Sequence, residues 1–215
     1  MTDFAAARKA MVDNQIRPSD VRAYPIIDAM LSVERERFVP EGLRPVAYAG
    51  EHLPLAPGRV LLDPRVMGKL LDALAIQPDE AVLDVGAALG YSPALIARLA
   101  GRVVAVEEDA GMAASARGAL AGVDNAALHE GPLVAGHAAG GPYDVIIIEG
   151  AAEVVPAGLL AQLREGGRIG AILARDGLQA MRIGTSRGGQ VAWQRAFDAQ
   201  APVMPGFAAD RVFQF

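Results

Sequence analysis

No cysteine occurs in the 215 residues, which excludes disulfides, thiolate metal sites and a cysteine nucleophile together and fits a cytoplasmic protein. Aromatic residues are scarce, at 5%, although 52% of the chain is apolar. The apolar excess lies largely in alanine, which suits compact α/β packing better than a sandwich of aromatic-rich strands. No apolar run approaches the ~20 residues of a membrane span. The opening stretch "MTDFAAARKAMVDNQIRP" interleaves charges with apolar residues and has no signal-peptide centre. Basic residues are outnumbered, 20 against 25 acidic, for a net charge of −5, and no basic run offers a phosphate-neutralising surface. The three histidines, His52, His129 and His137, share no ligand spacing. The expectation is therefore no metal, no membrane and no nucleic-acid partner.

What is present is periodic. Phe4, Ala7 and Met11 recur at helical spacing until "IRPSD" interrupts them, and Tyr24, Ile27, Met30 and Leu31 form a second stripe ended by "RFVPEG". Glu34, Arg35, Glu36 and Arg37 read as a solvated charge run at a helix end. "AYAGEHLPLAPG", residues 47–58, reads as a loop punctuated by proline and glycine. Asp63 followed by Pro64 is an N-cap and first helical position, and Val66, Met67, Leu70, Leu71 and Leu74 then share one face.

After Pro78 the pattern changes. Strands are predicted at "AVLDV", "RVVAVE", "AALHE", "YDVIIIE" and "GRIGAIL", most of them separated by helical stretches. Short apolar strands alternating with helices predict a parallel sheet covered on both faces. "LQAMRIGTSRGGQVAWQRAF" has two strand-like arms about "RGGQ", a closing antiparallel hairpin with Trp193 in its core. Phe207, Phe213 and Phe215 are expected to cover the sheet edge. The predicted fold is a doubly wound, mostly parallel α/β sheet of Rossmann-like type with a helical N-terminal extension and a C-terminal hairpin. Residues 1–62 form the extension and a substrate-side loop, and residues 63–215 the α/β domain, as one structural unit.

The stretch "VLDVGAALGYSPALIARLAG" carries the candidate site. Gly86 permits a tight turn after the first parallel strand. Gly90 lets the next helix start close to the sheet with its backbone N–H groups toward a ligand. An acidic residue about twenty positions later is expected to take a pair of ribose hydroxyls, and Glu107 stands there after "VVAV". On these residues alone, turn glycines with a solvated strand end remain an alternative, as does a nicotinamide or flavin cofactor. The G-x-G-x-x-G fingerprint from Gly86, however, would need glycines where the chain has Ala88 and Tyr91.

Asp84-Val-Gly86-Ala-Ala-Leu-Gly90-Tyr91 resembles the first motif of S-adenosylmethionine-dependent methyltransferases, and its tyrosine and surroundings resemble the protein-L-isoaspartate O-methyltransferase family. Met11–Pro40 resembles that family's N-terminal region, "AYAGEHLPLAPGRVLLDPRVMGKLLDAL" its substrate loop and following helix, and "PYDVIIIEGAAEVVPAGLLAQLREGGRIGAIL" its fourth and fifth strands. The likeness runs in order from about residue 8 to 175. It implies S-adenosylmethionine as cofactor, S-adenosylhomocysteine as product, and a protein or peptide carboxylate as acceptor, handled by a cytoplasmic monomer or homodimer in protein repair. Cofactor contacts are implied at Asp84, Gly86, Ala87, Ala88, Gly90, Glu107, Glu108, Gly131, Pro132 and Glu149. Contacts on the substrate side are implied at Gly58, Val60, Leu62 and His52, and no residue is singled out as catalytic.

The chain also departs from the family's wording. The Gly-Gln-Thr-Ile-Ser run, whose hydroxyls are associated with the acceptor carboxylate, reads Gly58-Arg59-Val60-Leu61-Leu62, and a preceding aspartate position is Gly50. The middle glycine of the first motif is Ala88, beside Leu89. Pro132 replaces the aspartate of a Gly-Asp-Gly after the third strand, in Glu130-Gly131-Pro132-Leu133. Glu149 stands where a small or hydroxyl residue is common. The expected function is a carboxyl methyltransferase of this family with weakened or altered acceptor recognition. A methyltransferase for another acceptor, or a binding protein on the same fold, is the alternative.

Overall fold

The computed structural model describes residues 3–175 and 177–210; Phe213 and Phe215 lie outside them. Helix α1, Phe4–Met11, begins on Asp3, whose carboxylate accepts the Ala6 N–H at 3.0 Å. Helix α2 is Tyr24–Ser32 and helix α3 Pro64–Leu74. Asp63 caps α3 by accepting the Arg65 N–H at 2.7 Å, Pro64 occupies the first turn, and the predicted apolar face is buried.

Five parallel strands follow: β3 Ala81–Val85, β4 Arg102–Glu107, β5 Ala126–Glu130, β6 Tyr143–Ala152 and β7 Leu163–Arg175. Helix α4, Tyr91–Ile96, leaves β3, and α5, Ala110–Ala119, links β4 to β5. A four-residue helix α6, Ala157–Leu160, precedes β7. Strands β8, Leu178–Arg187, and β9, Gln190–Phe197, add the antiparallel hairpin, giving the order β5-β4-β3-β6-β7-β8-β9.

Alternating side chains of the strands feed two cores. Val82, Val103, Val145 and Ile147 pack with α3, α4 and the N-terminal residues Met11, Ile16 and Met30. Leu83, Val104, Ile146 and Ile148 pack on the other face with Leu133, Leu159 and Phe207. Every residue of β6 is buried, as a strand between two covered faces requires. The chain runs β3 to β5 in one direction and then places β6 on the opposite side of β3. The strand order therefore reverses between β3 and β6, and in such sheets a ligand crevice opens beyond the strand ends at that reversal.

Three sequence expectations need correction. The inward face of α2 is Ile26, Ile27, Ala29 and Met30, whereas Tyr24 is 76% exposed and Leu31 lies at the surface; the buried stripe is centred about one residue away from the predicted one. The presumed loop contains strand β1, Leu53–Ala56, paired antiparallel with β2, Arg59–Leu61, around Gly58 at φ 71°. Strands this short, carrying Pro54, show no readable alternation, and proline is tolerated at a sheet edge. Finally, Arg35 and Glu36 of the charge run are buried. The Arg35 guanidinium donates from Nε to Ala47 O and from Nη2 to Leu62 O, both at 2.7 Å, and lies 4.8 Å from the Tyr91 ring centre. Glu36 accepts from Arg8 at 3.1 Å and from the Tyr48 hydroxyl. Arg35 lies inside because carbonyls and an aromatic face receive its charge, and Glu36 because Arg8 pairs with it.

Candidate functional site

The turn after β3 is shaped by its backbone. Gly86 N and Ala87 N both donate to Val106 O, at 2.9 and 3.1 Å, which ties the turn to the end of β4. Gly86 and Gly90 have φ of 93° and 97°, and Gly90 is the N-cap of α4, where an added Cβ would meet Ala116 at 3.3 Å. Between them Ala88 holds φ 48°, a left-handed conformation that disfavours any residue with a Cβ. That conformation points the Ala88 N–H at Glu107 Oε2, 2.7 Å away.

Glu107 is fully buried at the end of β4. Its Oε1 accepts from Arg59 Nη1 at 2.7 Å, Glu108 N at 2.9 Å and Asp109 N at 3.0 Å. Its Oε2 accepts from Arg59 Nη2 at 2.6 Å as well as from Ala88 N. Burial alone would raise this carboxyl's pKa, but the Arg59 guanidinium and the backbone N–H groups hold it below the usual carboxylate range. Arg59, on β2, is itself 5% exposed.

Two further carboxyls stand at neighbouring strand ends. Asp84 on β3 accepts from Ser92 Oγ at 2.7 Å, and Glu149 lies on β6; both are buried. Desolvation pushes Asp84 up to about 7 and Glu149 well above its ordinary value, each raised further by the other's charge or that of a neighbouring carboxylate. Asp84 Oδ1 and Glu149 Oε1 are buried without a hydrogen-bond partner.

A C-terminal segment closes over these groups. Ala151 N donates to Pro202 O at 3.0 Å and Met204 N to Ala151 O at 2.9 Å, so residues 202–204 run beside the end of β6. The Met204 side chain sits against Gly86 and Gly150: a Cβ on either glycine would stand 2.5 Å from it. On the far side of β4, Gly131 N donates to Glu107 O at 3.0 Å and Leu133 N to Glu108 Oε2 at 3.3 Å. Pro132 between them is exposed, as is Glu108.

The fold thus brings Asp84, Gly86, Ala87, Ala88, Gly90, Glu107, Glu108, Gly131, Pro132 and Glu149 to one end of the sheet. The substrate-side residues are placed differently. Gly58 and Val60 are half-buried in the β1–β2 hairpin, but Leu62 is fully buried in the core. His52 accepts the Asp63 N–H at Nδ1 (2.8 Å) and donates from Nε2 to Gln200 O (2.6 Å), so both ring nitrogens are engaged within the fold. The His129 and His137 ring centres lie 4.1 Å apart, the rings tilted by 43° to each other. Among the described residues no group of three or more His, Asp or Glu could hold a metal ion, and no helix is long and apolar enough to cross a membrane.

The family model for protein-L-isoaspartate(D-aspartate) O-methyltransferase matches residues 6–198. The chain belongs to that family. A protein-L-isoaspartate O-methyltransferase of Methylorubrum populi is 35% identical over 212 residues, which cover 97% of this chain and 99% of the relative. Among solved structures, a protein-L-isoaspartate O-methyltransferase superposes with a TM-score of 0.80 at 21% identity, covering 93% of this chain and 66% of that one. A family structure from Plasmodium falciparum, in complex with S-adenosyl-L-homocysteine, superposes with a TM-score of 0.78 at 16% identity over 95% of this chain and 99% of that one. These likenesses extend the Rossmann-like methyltransferase fold across nearly the whole molecule.

Arg59 and Met204 are the site residues that sequence reasoning missed. Arg59 was visible as a cation replacing the family's glutamine between Gly58 and Val60, but nothing local signals a partner 48 residues away. With Arg59 in place, Glu107 has no acceptor position left for a ribose diol. A carboxylate oxygen accepts about two hydrogen bonds, and the donors already named leave neither oxygen free.

Proposed function

We propose that this chain is an S-adenosylmethionine-dependent carboxyl O-methyltransferase acting on isoaspartyl residues of proteins or peptides. The observation that carries the reading is Glu107, held at the end of β4 across from the Gly86–Gly90 turn in a chain of this family. The adenosyl end falls to Glu107, Glu108, Gly131 and Pro132, and the amino-acid end to Asp84, Gly86, Ala87, Ala88, Gly90 and Glu149. Gly58 and Val60 face the acceptor, and Leu62 and His52 support that hairpin from beneath. The same reading places the protein in the cytoplasm as a monomer or homodimer; its net charge of −5 argues against a nucleic-acid substrate.

When bound, the cofactor supplies an electrophilic methyl group on a sulfonium. The acceptor carboxylate is already ionised at neutral pH, so the chain need not provide a general base. The protein's task is to align the acceptor and exclude water. Val60 and Leu62 offer no hydroxyl to the acceptor carboxylate, which supports altered or weakened acceptor recognition: each missing hydrogen bond to a buried group costs about 1–3 kcal/mol.

The deciding experiment is transfer of labelled methyl from S-adenosylmethionine to an isoaspartyl peptide, with its aspartyl twin as control. Base-labile label on the isoaspartyl peptide alone is the expected result. Equal label on both peptides, or none while cofactor binds, would remove the isoaspartyl assignment.

A further inference from the structure

Arg59 meets Glu107 with the geometry a ligand would use. Two parallel N–H donors of a planar guanidinium meet both carboxylate oxygens, at 2.7 and 2.6 Å, in a site where Arg59 and Glu107 are 5% and 0% exposed. A ribose diol would present the same pattern, two adjacent hydrogen-bond donors to one carboxylate. Resting on the methyltransferase reading, we infer that Arg59 is an internal occupant of the ribose subsite, so that cofactor binds only after Arg59 has withdrawn from Glu107.

The surroundings support this role. The hairpin that carries Arg59 is joined to the C-terminal segment that carries Met204. A Cβ on Gly58 would stand 3.1 Å from Val203 O and 3.5 Å from the Pro205 ring, and His52, just before β1, donates to Gln200 O at 2.6 Å. Arg59 thus fills the cleft at the end of β4 while Met204 fills it over Gly86 and Gly150. The two plugs come from segments that pack on each other and so form one cover. Its base is fixed by Arg35, which binds the carbonyls of Ala47 and Leu62 on either side of the hairpin. The bond between Arg59 and Glu107 is the part that a competing ligand can replace donor for donor, since the backbone N–H groups on Glu107 remain. Withdrawal frees the guanidinium to be hydrated beside the hairpin.

The consequence is a weakened apparent affinity, because only the withdrawn fraction of the protein is competent to bind. Titration calorimetry of S-adenosylhomocysteine into the full-length wild-type chain and into Arg59→Gln tests it. Glutamine can leave one hydrogen bond on Glu107 but cannot span both oxygens. Arg59→Gln is expected to bind at least about tenfold more tightly than wild type. Hydrogen exchange of the wild-type chain gives a second readout should the variant fail to fold. Saturating S-adenosylhomocysteine is expected to raise exchange at the Arg59–Leu61 amides while protecting Gly86–Gly90. Equal affinity of the two proteins, or a hairpin that becomes more protected when ligand binds, would overturn the role of Arg59 and leave the methyltransferase reading standing. Failure of both proteins to bind millimolar ligand would overturn that reading and, with it, the role of Arg59.

Discussion

Ser92 Oγ donates to Asp84 Oδ2 at 2.7 Å, and the other oxygen of Asp84 is buried without a partner, as is Glu149 Oε1, with which it is electrostatically coupled. Both carboxyls are raised in the folded state, Asp84 to about 7, so the native protein binds more protons than the unfolded chain between about pH 4 and 7. The linkage slope is then negative, and this pair's contribution to stability falls as pH rises through that window. Glu149→Gln supplies a permanent N–H donor to Asp84 without a proton to lose. The variant should exceed wild type by about 1–3 kcal/mol at pH 8, with the gap closing toward pH 5. Urea unfolding at the two pH values checks this, and a gap independent of pH would contradict it.

Glu107 carries the opposite sign. Its folded pKa is depressed, so its contribution is complete above the unfolded value and is lost as pH falls through the folded one. Arg59→Gln removes the leading cause of that depression while keeping the backbone donors. Acid unfolding of the variant should therefore begin at a higher pH than in wild type, followed by circular dichroism below pH 5. Identical acid transitions would show that the backbone N–H groups alone hold the carboxylate ionised.

Ala88 sits at φ 48° with its N–H committed to Glu107. Glycine adopts this conformation without a Cβ clash, which outweighs its greater freedom in the unfolded chain. Ala88→Gly should stabilise the protein by about 1 kcal/mol, read as an increased midpoint in urea. A loss of stability would mean that the Ala88 methyl makes packing contacts worth more than the strain.

Arg35 predicts the reverse. Replacing it by Met keeps much of the volume but leaves the Ala47 and Leu62 carbonyls without donors. The loss should be about 2–4 kcal/mol. Arg35→Lys should recover only part of it, because an ammonium cannot reproduce the guanidinium fork over Tyr91. A fully stable Arg35→Met variant would show that desolvating the cation offsets its hydrogen bonds.

Restoring the family's hydroxyls separates two neighbouring positions. Val60 is half-buried, so Val60→Thr should fold and raise methyl transfer to an isoaspartyl peptide. Leu62 is fully buried among apolar side chains. Leu62→Ser leaves a cavity and a hydroxyl there, with a loss of about 2–4 kcal/mol. Measured melting temperatures and turnover of the single variants would test the division; equal stability of the two would contradict it.

The strand pattern after Pro78 was legible because most strands carry an apolar run between polar turns, and β6, buried along its whole length, is apolar except for Asp144 and Glu149. The cap Asp63-Pro64, the turn at Gly86 and Gly90, and the acid at Glu107 were readable for the same reason: each is local chemistry at a fixed spacing. Arg35 was not, because a cation among other charges looks solvated until the chain brings carbonyls from residues 47 and 62 around it. Arg59 and Met204 were hidden too, since their roles depend on which distant segments the sheet order places over the cleft. His129 and His137 come together only in the fold, eight residues apart in a chain with no readable ligand spacing.

The pairing of Arg59 with Glu107 also bears on how ligands for this protein should be sought. Where an empty site leaves a buried carboxylate uncompensated, a true ligand relieves that penalty and announces itself as a large rise in melting temperature. Here the resting protein already compensates the charge, and a ligand must first break a bidentate ion pair. The stabilisation it returns follows the weakened apparent affinity rather than the intrinsic one. A thermal-shift screen of the wild-type chain would therefore pass over compounds that fit the cleft well, and the same library screened on Arg59→Gln would reveal them.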